Sequence, residues 1–429
     1  MSSPTTASDP NAPFSDLVVI DFSQVLAGPY IGRMFSDLGA DVIKIEAPGG
    51  DMVRVIAPKH DRGMSGLFTW VNAGKRDVCV DLTTSAGQSL VHELLGRADV
   101  VLQNFRPGVA ERLGIGWDEV HATNPRAVMI SISGFGADST LRDRGAFAPS
   151  IHAASGLLEY HARKTHNPVQ PLADARADLT TALHGMVGVL TALRVAEKTG
   201  VGEHVELAMY DAVLSCYEGV PFELLEPPEE RYDTDPFDAG TNGWIVVAGP
   251  LQHIWAQLSA AFGLADPSPP GSDIATKART RHARLEEWMA TLHDPPALVS
   301  SLESSGLACA PVQSLRDALT GAFGRERELL VEIDDRRGGT RSVVRSPWRF
   351  SRSSVAVRGP APERGEHNAE VLRDLLGASE TRIAELASSG VLQSAGDEAS
   401  ASVPDTDSSG RTRKIASTSA KSTTSPATR

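Results

Sequence analysis

An α/β fold built on a parallel sheet is what this sequence predicts, and three observations predict it. Short apolar runs alternate with amphipathic segments through the first half of the chain. Glycine-containing loops follow those runs directly. Helix punctuation falls where a β-α unit needs it, with Gly28-Pro29 opening a segment that Gly39 closes.

The elements follow in order. Leu17–Phe22 reads as a buried strand, and a helix follows from Gly28. Asp41–Glu46 is the second strand and Asp77–Leu82 the third. Ala86–Arg97 is an amphipathic helix, Asp99–Phe105 the fourth strand and Ala127–Ser133 the fifth. A long apolar helix over Leu183–Leu193 follows, with Asp178 expected just ahead of it. Beyond it, Gly243–Ala248, Leu307–Val312 and Leu329–Ile333 read as strands of a second unit. Helices are expected there near Gln252–Phe262 and Leu285–Leu292. Ala369–Leu376 and Glu380–Leu386 are short closing helices. The expected organisation is a Rossmann-like large domain over 15–220, a linker over 221–242, a smaller α+β domain over 243–344 and a C-terminal stretch over 345–394. The small, polar residues 1–14 and the Ser/Thr-rich tail 395–429 are expected to be disordered, the tail because it has too little apolar surface to order itself.

Composition narrows the function. A net charge of −13 argues against a general nucleic-acid binder. It leaves room for an anionic small ligand, which needs only a few local arginines and backbone N–H groups. Cys79, Cys216 and Cys309 show neither metal-ligand nor disulfide spacing and fit a reducing compartment. No apolar run is read as approaching the roughly 18 residues of a membrane span. Met1–Pro13 lacks the pattern of a signal peptide. A soluble cytoplasmic protein without a membrane partner is expected.

The chemistry is read by elimination. The sequence holds no H-E-x-x-H site, no Walker loop, no G-x-S-x-G elbow and no G-x-G-x-x-G after the first strand. Carboxylate chemistry and simple binding remain. In an open α/β sheet, ligands bind beyond the carboxyl ends of the strands. The loops there are Ser23–Gly28, Ala47–Gly50, Arg106–Gly108 and Gly134–Ala137. Asp178, in the run Asp174-Ala175-Arg176-Ala177-Asp178, stands near the unpaired N–H groups of a helix start. It can cap them, or those donors can stabilise charge in a reaction at its carboxyl group. From spacing alone the plainer assignment is a capping Asp178 and a solvated Asp174.

A set of short motifs adds to this. It runs through Asp21-Phe22, Ala27-Gly28-Pro29, Leu38–Glu46, Gly50–Arg54 and Asn72–Arg76. It continues through Asn104–Gly108, Arg112-Leu113-Gly114, Asn124-Pro125-Arg126, Gly134-Phe135-Gly136, Glu197–Gly200, Ala208–Ala212, Pro360-Ala361-Pro362 and Gly365-Glu366-His367. In order and spacing the chain resembles the family III CoA-transferases, the formyl-CoA transferase and carnitine CoA-transferase type, over nearly all of its folded part. The resemblance implies that Asp178 is the nucleophile, attacking an acyl-CoA and passing through a covalent aspartyl intermediate to a carboxylic acid acceptor. It implies coenzyme A as substrate and no tightly bound cofactor. It places Leu26 and Ala27 against CoA through backbone, with Asn104, Phe105, Arg106 and Arg112 at its adenine and phosphate end, and Val80, Asp81 and Leu82 as a further contact stretch. It also implies an interlocked homodimer in which the C-terminal stretch returns to the large domain.

Two departures stand out. The glycine run of many members is replaced by the acidic segment Glu226–Gly240. Where some members carry Lys or His after the Gly-Phe-Gly loop, this chain has Gly145–Ala148, preceded by Arg142 and Arg144. The rival reaction in the same superfamily is α-methylacyl-CoA racemisation, which pairs the Asp with a His. By the resemblance that His falls at Phe147, with His152 a few residues on along a helix with apolar neighbours, so transfer is preferred. Binding of acyl-CoA without turnover is the non-enzymatic alternative.

Overall fold

A computed structural model describes residues 9–56, 64–225 and 235–396. The chain divides into two compact units, Met1–Val213 with Glu332–Arg429, and Leu214–Val331.

The first unit runs β1 (Val18–Asp21), α1 (Ala27–Asp37), β2 (Asp41–Glu46), α2 (Val53–Ile56), α3 (Gly66–Asn72), β3 (Arg76–Cys79), α4 (Ser85–Leu95) and β4 (Val100–Gln103). It continues with α5 (Val109–Arg112), α6 (Trp117–Thr123), β5 (Val128–Ser133), α7 (Ala148–Ala154), α8 (Leu157–Thr165), α9 (Arg176–Thr199), β6 (His204–Ala208) and α10 (Met209–Ser215). The six strands form one sheet in the order β3-β2-β1-β4-β5-β6. Every pairing is parallel, with Ile20 beside Ile43 on one side and Val101 on the other. The order reverses between β1 and β4, so the crevice for a ligand opens beyond Asp21 and Gln103.

Strand sequences such as Val18–Asp21 and Val100–Gln103 are almost wholly buried, as strands covered on both faces must be. On one face, Ile20, Ile43, Val78 and Val101 pack against Leu90, Leu94 and Leu95 of α4. On the other, α9 lies against α1, β5 and β6. Gly185 permits that approach, because a Cβ there would stand 2.6 Å from Ile31 and 3.1 Å from Ile130. The sequence reading found no span-length stretch, yet α9 is long and apolar enough, by length and composition alone, to cross a membrane. In the fold its Ala182, Met186 and Val189 are buried.

The second unit carries α11 (Val220–Glu223), β7 (Phe237–Asp238), β8 (Trp244–Val247), α12 (Leu251–Phe262), α13 (Ile274–Ala290), α14 (Pro295–Ser304), β9 (Cys309–Pro311), α15 (Leu315–Thr320) and α16 (Ala322–Glu326). β7, β8 and β9 form a small antiparallel sheet. Its core joins Ile245 and Val247 to Ile254, Leu258, Leu285 and Met289.

β10 (Leu330–Asp334) and β11 (Thr340–Val344) form a two-stranded sheet, and α17 (Asn368–Leu376) and α18 (Glu380–Ser388) follow. Residues 332–344, assigned to the small domain from the sequence, group with the large unit. The cause is local burial: Ile333 and Val343 pack on Ala73. Val371 and Leu372 of α17 join the core on the α4 face of the main sheet. Residues 9–14 are ordered, contrary to expectation, because Ala12 is buried and the Phe14 ring lies 5.5 Å from that of Phe35. Residues 226–234 of the acidic segment and 397–429 of the tail lie outside the described residues.

Candidate active site

The site grows from the loop after β1. Asp21, at the end of that strand, is fully buried. Its carboxylate accepts the backbone N–H of Ser23 at 2.9 Å and also the Ser23 hydroxyl. Lys75 donates to it at 2.8 Å and also reaches the Pro29 carbonyl at 2.8 Å and Asn72 Oδ1 at 2.9 Å. Lys44, from β2, donates to the Ser23 carbonyl at 2.8 Å and to Asp51 at 3.0 Å. Gly32 makes room for this cluster, since a Cβ there would stand 2.6 Å from Asp21 and 2.9 Å from Lys75.

These charges are buried but served. Burial opposes the charge on Asp21, yet Lys75 and Lys44 hold its carboxyl below the ordinary range. Burial also opposes the charge on Lys44, and Asp51, Glu46 and Asp21 outweigh it, so its ammonium is held above the ordinary range. Burial pushes Lys75 down to about 8 against the pull of Asp21. Both partners of the Lys75–Asp21 pair shift downward, which favours the charge on Asp21 and opposes that on Lys75. The sense carried by Asp21 is the firmer, because two ammonium groups and Ser23 converge on one carboxylate.

The loop itself is clamped from both sides. Asn104, after β4, accepts the Gln24 N–H at 2.8 Å and donates to the Gln24 carbonyl at 2.7 Å. Asp51 accepts the Val25 N–H, with both oxygens at 3.3 Å. Val25 sits at φ +70°, in the left-handed region that a β-branched residue rarely enters. Such backbone persists only where its surroundings over-determine it, and it gathers at functional sites.

Asp178 faces this loop. The structure corrects its expected place: α9 begins at Arg176, so Asp178 lies within the first helical turn instead of ahead of it. It is half-buried. The backbone N–H groups of Ala27 and of Asp178 itself act on its carboxylate. Burial pushes its pKa up to about 6, and the two N–H dipoles hold it from rising further. Ala175, at the N-cap position, offers no side-chain acceptor. Instead Nε2 of the buried His152, in α7, accepts the Ala177 N–H at 3.0 Å.

A cavity of about 270 Å³ opens at the switch point. The β1 loop and α1 supply Gln24, Val25 and Ala27; Asn104, Phe105, Arg106 and Pro107 come from the segment after β4. Ile132, Ser133 and Gly134 close it from β5, and Met52, Arg142, Arg144, Ala146, Phe147, Met209 and Asp178 complete the wall. A second cavity of about 490 Å³ shares Phe105, Arg106, Pro107, Ile132, Ser133 and Arg142 with it and extends to Gly108, Glu111 and His204. Together they offer a trough whose wall carries Arg106, Arg142 and Arg144, with Asp178 in the first cavity and Glu111, Asp138, Glu206 and Asp211 in the second.

The sequence-derived residues divide accordingly. Ala27, Asn104, Phe105, Arg106 and Asp178 line the cavity. Leu26 is buried at the N-cap of α1 and lines neither cavity. Arg112 closes α5 beside Gly108, outside both linings. Val80 and Leu82 are buried, with Val80 bridged to Leu392 at the β3 side of the sheet, and with Asp81 they stand apart from the cavity. Lys75 is a buried cation, while Arg76 pairs with Asp41, Glu370 and Asp374. Arg176 lies 3.6 Å from Asp174 on the surface. Gln24, Val25, Met52, Ile132, Ser133 and Met209 were not singled out from the sequence. The strands' C-terminal ends give the signal for Gln24, Ile132 and Ser133, and the motifs Gly50–Arg54 and Ala208–Ala212 contain Met52 and Met209.

The model of CoA-transferase family III matches residues 14–368 of the chain. The succinyl-CoA–L-malate CoA-transferase beta subunit of Chloroflexus aurantiacus is 31% identical over 403 residues, covering 89% of this chain and 98% of that one. The formyl-CoA:oxalate CoA-transferase of Streptomyces avermitilis is 31% identical over 404 residues, covering 87% and 98%. Among solved structures, a CAIB/BAIF family protein from Brucella suis superposes with a TM-score of 0.71 at 25% identity, covering 85% of this chain and all of that one at 100%. The chain belongs to CoA-transferase family III and is an enzyme of CoA transfer between an acyl-CoA and a carboxylic acid.

Proposed function

We propose that Asp178 carries the acyl group and then CoA in turn. Its carboxylate attacks the thioester carbonyl, giving a mixed anhydride and CoA thiolate. The thiolate attacks the aspartyl carbonyl, giving an aspartyl thioester and releasing the donor acid. The acceptor carboxylate attacks that thioester, forming a new mixed anhydride and freeing the thiolate again. The thiolate then takes the new acyl group and leaves Asp178 as it began. One activated acyl linkage replaces another at each step, so no ATP and no resident cofactor is required. The observation that carries this reading is the half-buried Asp178 carboxylate in the wall of the switch-point cavity, which Ala27 lines with it and on which the Ala27 N–H acts. That donor is fixed by α1 before any substrate arrives. It suits the negative charge that develops on oxygen as each tetrahedral intermediate forms.

The CoA chain lies in the trough in this reading. The adenine and phosphates lie toward Phe105 and Arg106, and Arg112 meets them from the end of α5. Leu26 and Ala27 contribute through backbone. Asn104 acts by holding the Gln24 backbone. Forked guanidinium donors match phosphate oxygens well. The names of the relatives point to small carboxylic acids as acyl groups and acceptors. Racemisation is disfavoured on two counts. Phe147 stands in the cavity wall where that reaction wants a base, and the Nε2 lone pair of His152 is already engaged by Ala177.

Incubation with an acyl-CoA in the presence of hydroxylamine, followed by peptide mass spectrometry, is expected to convert Asp178 to its hydroxamate. An enzyme that turns over with Asp178 unmodified would sink this mechanism, and solvent deuterium at the α-carbon without modification would favour racemisation. Residence in the cytoplasm completes the reading, supported by Cys79, Cys216 and Cys309 standing outside any disulfide.

A homodimer is also part of the proposal. Leu183, Val187 and Leu190 recur at helical spacing on α9 and are 52%, 65% and 36% exposed. A second copy covering that face would bury them. Leu183→Glu with Val187→Glu is expected to move the protein from dimer to monomer in light scattering. A dimer unchanged by both substitutions counts against this face.

A further inference from the structure

We propose that His152 is a positioning residue: its Nε2 lone pair anchors the first turn of α9 and so aims the Asp178 carboxylate. This rests on the reading of Asp178 as nucleophile. α9 is 24 residues long, and its first N–H groups have no partner within the helix. A helix of this kind is ordinarily capped by its own preceding side chain. Here the cap position holds Ala175, which has no acceptor to offer. The acceptor comes from another helix: His152 Nε2 takes the Ala177 N–H at 3.0 Å. Ala177 is fully buried and His152 is 1% exposed, so water cannot replace the bond. Ala177 is the residue directly before Asp178. The backbone next to the carboxylate is thus fixed by His152.

The bond constrains the imidazole. Nε2 must carry a lone pair, so the proton resides on Nδ1. Burial pushes the imidazole below its ordinary value; Asp174 works against that and Arg176 with it. The ring therefore keeps its lone pair at neutral pH. The same engagement removes it as a general base, which explains a buried histidine beside the site that does no proton chemistry.

The geometry makes a sharp test, because two amides place their oxygens differently. Gln Oε1 reaches as far along the side chain as Nε2, whereas Asn Oδ1 reaches only as far as Nδ1. His152→Gln is expected to keep kcat within a few-fold of the wild type. His152→Asn and His152→Leu are expected to lose about 100-fold in kcat, the scale of a misplacement of about 1 Å, with KM for acyl-CoA unchanged. All four proteins are compared as full chains, below the lowest of their thermal midpoints, with folding checked by circular dichroism. Loss of stability alone would follow side-chain volume and leave kcat of the folded variants equal. Wild-type kcat in the folded Asn or Leu variant overturns the proposal. So does a folded Gln variant as impaired as Leu. Hydroxylamine trapping of the wild type separates the two levels. Trapped Asp178 with an unaffected Leu variant sinks only the role of His152, whereas no trapping at Asp178 sinks the nucleophile and this role with it.

Discussion

Asp178→Asn and Asp178→Ala lower CoA transfer by at least about 10⁴-fold, the scale of removing a covalent nucleophile, and neither lowers the thermal midpoint. The two halves of this expectation have one origin. Burial raises the carboxyl to about 6, against an unfolded value near 3.8. Between those values the folded protein binds a proton that the unfolded chain does not, so this group's contribution to stability falls as pH rises through the window. At neutral pH the ionised Asp178 is a cost. Asparagine removes that cost, by on the order of 1 kcal/mol once the half-exposed setting is allowed for. Catalysis runs the opposite way, because only the ionised form attacks. The kcat/KM for acyl-CoA is expected to fall below about pH 6, approaching tenfold for each further unit. A flat profile down to pH 4.5, or substantial transfer by the Asn variant, would remove Asp178 from the chemistry. A midpoint lowered by several degrees would show that the carboxylate caps α9 and stabilises the fold.

Much of the fold is legible in the sequence because its signals are local. Asp41–Glu46 forms a strand with the expected bounds, and Ala127–Ser133 is shortened by one residue. Gly39, expected to close the first helix, sits at φ +107° just after it. The rule that ligands bind beyond the strand ends points to the loop from Arg106 and the resemblance to Asn104 and Phe105, and all three line the cavity. The failures share a cause. The start of α9 was placed too late because its cap comes from His152, on a helix well upstream, and no local signal announces it. Val25 is hidden for a related reason: its left-handed backbone is imposed by Asp51 and by the Asn104 clamp on Gln24, while its side chain argues for extended structure. Nothing local marks Lys75 as buried, since burial of a lysine depends on partners, Asp21 and Asn72, that only the fold assembles. Arg112 and Leu26 stand outside the cavity linings, Leu26 at the N-cap of α1 and Arg112 at the end of α5.

The second large effect lies beneath the site. Lys75→Met is expected to destabilise the protein by about 3–5 kcal/mol, the cost of leaving a buried charge without its partner. Methionine fills much the same volume, so packing is not the issue. What is lost is one ammonium serving Asp21, the Pro29 carbonyl and Asn72 in a place closed to water. Lys44 also acts on Asp21 and softens the loss without replacing those contacts. The double variant Asp21→Asn, Lys75→Met removes the stranded carboxylate and is expected to recover part of the stability. The coupling between the two sites, measured by denaturant unfolding, should therefore be large. It should also reach catalysis. Asp21 holds Ser23, Lys44 holds Ser23 and Asp51, and Asp51 holds Val25 in its unfavourable conformation. Freed of that restraint, the loop relaxes, and the Ala27 N–H at its end moves relative to Asp178. The folded fraction of either variant should then show reduced kcat although neither side chain touches the cavity. Additive stability changes would mean that the pair is not an energetic unit. Undiminished kcat in the folded variants would mean that the strained loop holds its shape without the charges under it.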